Sequence, residues 1–138
     1  MVILYNCYYV PVLIPNPVPT QNTQISSNFS DKQNRREVRL NIDRGIANPI
    51  PPDETNDLGN GFYTFAWINK FQIKEGEFLT FSLEGTNIGV INGGFAPRDF
   101  APLYAIESFP RKKNEWIMTL HNPTRSVRDL SVYLIAKT

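Results

Sequence analysis

Apolar and polar residues alternate with a period of two along much of this chain. Val38, Leu40 and Ile42 fall on one side of an extended backbone, and Glu37, Arg39 and Asn41 on the other. That spacing predicts a half-buried strand. Phe78, Thr80 and Ser82 alternate against Leu79, Phe81 and Leu83, after a turn at Lys74-Glu75-Gly76-Glu77. Near the end, Leu130, Val132, Leu134 and Ala136 alternate with Ser131, Tyr133, Ile135 and Lys137. With WIMTL at 116–120 and the turn segment HNPTRSVRD between, this stretch reads as an antiparallel hairpin with an extended turn. Phe62 to Ile68 is aromatic and apolar and suits a core strand, and Leu103 to Phe109 suits another. Ile88 to Ile91 reads as a short strand before a break at Gly93-Gly94. Asp43 to Gly61 reads as a long loop, with Asn48-Pro49, Pro51-Pro52 and Gly59-Asn60-Gly61 inside it. Loops of that length in a compact domain are often functional.

No stretch carries a sustained helical stripe. One turn of helix over residues 30–36, capped by Ser30 or Asp31, is the most the pattern allows. About seven to nine short strands at this rhythm predict an all-β fold. The expected architecture is an antiparallel β-sandwich, a single jelly roll, with an extended N-terminal arm.

The arm is residues 1–19. Val2 to Val10 is rich in Val, Ile and Tyr and reads as a strand. Pro11, Pro15, Pro17 and Pro19 follow, and they enforce an extended connector. Such connectors hold distance with little entropy to lose on ordering. The Val2 to Val10 strand has no adjacent hairpin partner. It closes the sheet of its own body or pairs with the edge of a neighbour, and strand addition would remove the hazard of a sticky edge. Residues 20–138 then form one sandwich domain. The first fourteen residues lack a basic start and a small-residue cleavage site, which argues against a secretory leader. They are also too short for a membrane-spanning helix.

Composition adds bounds. The 138 residues suit one domain able to bury an ordinary core. A net charge of +1 supplies no global field for nucleic acid or anionic membrane. One cysteine, Cys7, rules out an intrachain disulfide framework and a multi-cysteine zinc site. Eleven prolines against eight glycines fit a chain of loops and strands rather than long helices.

Candidate chemistry is sparse. His121 is the only histidine, no nucleophile motif accompanies it, and it reads as a turn residue that hydrogen-bonds locally. Cys7 reads as a buried thiol in an apolar strand. Asp53, Glu54 and Asp57 offer oxygen ligands of the type calcium uses, but their spacing matches no EF-hand loop and suits a solvated acidic loop. Two basic clusters, Lys32, Arg35, Arg36 and Arg39, then Arg111, Lys112 and Lys113, have acidic neighbours and no nucleic-acid motif. Trp67, Trp116, Phe62, Tyr63 and Phe65 read as core, while Phe95 and Phe100 stand in a stretch that reads as loop. No catalytic, cofactor-binding or metal-binding residue is assigned, and an enzyme is not expected.

A compact all-β body, an N-terminal arm and a closing pair WIMTLHNPT…LSVYLIAKT resemble small single jelly-roll viral capsid proteins, the vertex (penton) proteins of tailless icosahedral membrane-containing bacteriophages. The resemblance lies in size and strand rhythm. It implies a structural protein of a virion, five copies around a fivefold axis, contacts with other capsid proteins, and neither catalytic residues nor a cofactor. The arm, with the loops Asp43 to Gly61 and Gly93 to Pro102, would form the contact surfaces. The alternative is a ligand-binding β-sandwich for carbohydrate or a receptor, which predicts an exposed aromatic row or a calcium site near Asp53 to Asp57.

Overall fold

In a computed structural model, the structure describes residues 34–43 and 50–138. Asn34–Thr138 form one compact unit. The expected arm over residues 1–19, its Val2 to Val10 strand and Cys7 lie outside the described residues.

Eight strands make up the described fold: β1 (Arg35–Asn41), β2 (Glu54–Gly59), β3 (Phe62–Ile73), β4 (Phe78–Glu84), β5 (Gly89–Pro97), β6 (Tyr104–Lys112), β7 (Glu115–His121) and β8 (Arg128–Lys137). They form two four-stranded sheets, ordered β1-β4-β7-β6 and β2-β3-β8-β5. The all-β, two-sheet sandwich expected from the alternation is therefore present. Two antiparallel pairs nest one inside the other, β3 with β8 in one sheet and β4 with β7 in the other.

The alternation expected along the chain is realised in the core. Leu130, Val132, Leu134 and Ala136 are fully buried, as are Leu79, Phe81 and Leu83. Trp67, Phe71, Trp116, Met118 and Leu120 pack with them between the sheets. Phe71 meets Phe81 edge-on across the sandwich, with ring centroids 5.0 Å apart, the geometry that aromatic quadrupoles favour. Both indoles find acceptors: Trp67 Nε1 donates to the Ile50 carbonyl at 2.8 Å, and Trp116 Nε1 to Ser108 Oγ at 2.9 Å.

Four expectations need correction. Strands β7 and β8 are not a hairpin, because they lie in different sheets and residues 122–127 cross between them. The purely antiparallel sandwich is broken at β1, which runs parallel to β4 in register Val38 to Phe81 and Leu40 to Leu83. Parallel neighbours need a long crossover, and here the β2–β3 hairpin serves as one. The loop from Asp43 to Gly61 contains a strand, β2, paired with β3. Its turn is Asn60-Gly61, with φ of 56° and 83°, the positive values that a two-residue hairpin demands.

The fourth correction concerns Gly93-Gly94, which is no break. Strand β5 runs through it unbroken to Pro97, with Phe95 in the strand and packed against the core. A Cβ at Gly93 would collide with the Trp116 indole. Glycine there lets the β5 backbone lie directly on the ring of the opposite sheet.

The crossing from β7 to β8 is tied by Asn122, whose side chain is wholly buried. Its Nδ2 donates to the carbonyls of Ile73 and Ser126, at 3.0 and 2.8 Å. Its Oδ1 accepts from the amide and the hydroxyl of Thr124. Its backbone N–H reaches the Glu77 carbonyl, and its carbonyl accepts from the Gly76 amide. One residue thus holds the end of β3, the start of β4 and the turn into β8.

Two substitutions test this framework. Asn122→Ala leaves several buried groups without partners and is expected to cost about 1–3 kcal/mol or more in urea unfolding. Gly93→Ala is expected to cost about 1–3 kcal/mol by overpacking against Trp116, whereas the same change at Gly94, where a Cβ meets nothing within 4 Å, should cost clearly less.

Candidate interaction surface

The outer face of the β1-β4-β7-β6 sheet carries a different chemistry from its inner face. Side chains alternate across a strand. With Trp116, Met118 and Leu120 facing the core, Ile117, Thr119 and His121 face outward, beside Phe78, Thr80, Ser82 and Glu84 of β4. Ser82, Glu115, Ile117 and Thr119 are nevertheless buried. Polar groups at such depth need partners, and each has one. Ser82 donates to Glu115 Oε1 at 2.7 Å. Arg111 holds the same carboxylate with Nε on Oε2 and Nη2 on Oε1. The Glu115 side chain is 3% exposed against 46% for Arg111, so the guanidinium serves as its lid. This bidentate grip, with the Ser82 hydroxyl, holds the Glu115 carboxyl below the usual carboxylate range although burial opposes the shift. Reciprocally, the hydrogen bond to Glu115 raises Arg111 above its ordinary value.

At the same face, Thr119 Oγ1 donates to Glu107 Oε1 at 2.8 Å and lies 2.8 Å from Thr80 Oγ1. A hydroxyl has one proton to give. Thr119 spends it on Glu107, so Thr80 is the donor to Thr119. Beside this relay Phe78 stacks on His121, with centroids 4.2 Å apart. His121 Nδ1 lies 3.3 Å from the Glu77 carbonyl. His121 is therefore not the expected turn residue with a local bond, but ends β7 and reaches across to the start of β4. Arg35, Phe78, Thr80, Ile106, Glu107 and Thr119 together line a groove of about 240 Å³.

Strand β6 forms the edge of this face, and all nine of its residues are exposed. It is hydrogen-bonded to β7 on one side; among the described residues no strand pairs with the other. Tyr104, Ile106 and Phe109 are 55%, 57% and 39% exposed, and Phe100 in the preceding loop is fully exposed. Fully burying one such side chain is worth about 1.5–3 kcal/mol, so the edge carries a large unrealised gain. Two register shifts, at Ala105/Glu107 and Pro110/Lys112, interrupt the ladder. Bulges, proline and charge are the devices that keep an edge from indiscriminate pairing.

The other sequence-level candidates separate. Asp53 pairs with Lys70 at 2.7 Å and accepts from the Ile68 amide at 2.8 Å, which lowers its pKa. Asp57 caps the Gly59 amide. These acidic residues are thus engaged locally, and among the described residues no cluster of three or more potential metal ligands occurs. In the basic clusters, Arg36 bonds Glu77 and the Gln72 carbonyl, and Arg39 approaches Glu37. Lys113 lies apart, with Lys137, Thr86 and Asn114 in an open cleft of about 620 Å³ at one end of the sandwich. Lys32 is outside the described residues. Trp67, Trp116 and Phe65 are core, as expected, while Phe62 and Tyr63 are half-buried. Among the described residues no helix is long and apolar enough to cross a membrane.

The fold and this face define a two-sheet β-sandwich with an apolar, blunted edge. The YjdH family profile matches residues 36–136, from β1 into β8, and the chain belongs to the YjdH family. No curated protein and no solved structure matches it significantly.

The Glu115 cluster gives a signed pH prediction. Glu115 and Asp53 both have folded values below their unfolded ones. Their stabilisation is complete above about pH 5 and is lost as the pH falls through the lower folded values. Urea midpoints measured from pH 7 to pH 3 should therefore fall, and less steeply for Glu115→Gln. At pH 7, Glu115→Ala strands the buried Ser82 hydroxyl and should cost about 1–3 kcal/mol.

Proposed function

We propose that this protein is a structural, non-catalytic subunit that assembles as a homo-oligomer through the β6 edge. The observation that carries the reading is an entire nine-residue strand exposed on both faces, bearing Tyr104, Ile106 and Phe109. An apolar patch of this kind, rimmed by Glu107, Arg111 and Lys112, is the mark of a surface that meets another protein. Cyclic closure uses two different patches on each copy. The strand-like sequence Val2 to Val10, on its proline connector, supplies a second patch of suitable character. In its finer form the subunit is a capsid or vertex protein of a virion, contacting other capsid proteins. Support for that form is the resemblance in size and strand rhythm, together with a two-sheet sandwich body.

Light scattering on the full chain tests the oligomer. The wild type should have a mass several times that of the monomer. The double variant Phe100→Asp, Tyr104→Asp should run as a monomer with its melting midpoint nearly unchanged, because substitutions at exposed sites typically alter stability by under about 0.5 kcal/mol. A monomeric wild type, or an oligomer indifferent to both changes, contradicts the proposal. Co-sedimentation of the chain with purified particles tests the virion form.

A further inference from the structure

The groove on the outer face of the β1-β4-β7-β6 sheet is more than a gap between side chains. Its floor is a directed relay, from the Thr80 hydroxyl to Thr119 and from Thr119 to Glu107 Oε1. The direction has consequences. Thr80 has spent its proton, so its oxygen faces the groove as an acceptor. Glu107 uses Oε1 for Thr119, and among the described residues its Oε2 makes no hydrogen bond. Arg35 also lines the groove, and its guanidinium is a pure donor. Phe78 and Ile106 supply its apolar walls.

A ligand for this groove must offer hydroxyl protons to Glu107 Oε2 and to Thr80, and an oxygen to Arg35. It must also present a C–H surface to Phe78 and Ile106. A simple anion fits poorly, because it would face the Glu107 carboxylate. A cation fits poorly beside Arg35. A sugar ring meets every requirement: its hydroxyls both donate and accept, and one face is apolar. At about 240 Å³ the groove lies at or below the lower end of drug-sized pockets, which suits one sugar residue.

We propose that this groove is a carbohydrate-binding site, in which Glu107 and Thr80 accept from ring hydroxyls, Arg35 donates, and Phe78 and Ile106 contact the ring carbons. Thr119 is a positioning residue, fixing Glu107 through its hydroxyl. Ile106 and Glu107 also belong to the edge proposed for assembly, so the titration is run on the Phe100→Asp, Tyr104→Asp variant as well as on the wild type, and sugar binding should persist there.

Titration of ¹⁵N-labelled full-length protein tests this. The probes are glucose, galactose, mannose and N-acetylglucosamine with their short oligomers, and glycine as a zwitterionic control. At least one sugar should shift the amides of Thr80, Glu107 and Thr119, and glycine should not. Arg35→Ala and Glu107→Ala both lie on exposed edge strands, and each should weaken that binding by about tenfold or more while the rest of the spectrum stays in place. Thr55→Ala, on the distant edge strand β2, should change nothing. The proposal is overturned if no sugar shifts these amides, if glycine shifts them, or if the sugar response survives both edge variants.

Discussion

The fold depends on closing two crossings at one end of the sandwich. The chain changes sheets five times, and two of those changes, from β3 to β4 and from β7 to β8, meet at this end of the nested pairs. At each change the backbone leaves a ladder, and its polar groups need other partners. Asn122 provides them for both crossings, using all its side-chain donor and acceptor capacity on Ile73, Ser126 and Thr124 while its backbone meets Gly76 and Glu77. Apolar residues at this position would bury the same volume and leave these groups unpaired, at a cost comparable to a good part of a small domain's stability. Once the crossings are fixed, the registers of four central strands follow, and the core residues of β3, β4, β7 and β8 face one another.

That geometry also makes the two sides of the β1-β4-β7-β6 sheet unequal. The inner side is apolar and closed by the second sheet. The outer side is closed by its own polar side chains, with Arg111 folded over Glu115 and Ser82, and the threonine relay leading to Glu107. Polar groups this well satisfied are rigid, which is what a recognition surface needs. At its margin, among the described residues, β6 is exposed along its whole length while still paired to β7. The face spans four strands and meets the exposed edge at β6, where Ile106 and Glu107 belong both to the surface proposed for assembly and to the groove proposed for sugar binding.

Much of the fold was legible from the sequence. Period-two alternation identified β1, β4 and β8 and the faces they bury, because one side of each meets the core. The edge strand β2 was missed for the converse reason: Glu54, Thr55, Asn56 and Asp57 bury nothing, so no apolar rhythm marks them. The Asn60-Gly61 dipeptide was the available signal, since that pair favours a tight hairpin turn. Gly93 was misjudged because the demand for glycine comes from Trp116, a residue of the other sheet. The false β7–β8 hairpin has a similar cause, for nearness in sequence says nothing about which sheet each strand joins. The groove was beyond reach altogether. Arg35, Thr80, Glu107 and Thr119 sit on four strands and meet only through the strand order.

The central claim is that the β6 edge exists to be covered by another copy. Hydrogen exchange read by mass spectrometry, on the full chain at low and high protein concentration, addresses it directly. The account predicts that peptides spanning Tyr104–Lys112 exchange markedly more slowly in the concentrated sample, while peptides of the distant edge β2 do not change. Equal exchange of Tyr104–Lys112 at both concentrations, with the protein folded throughout, would contradict it.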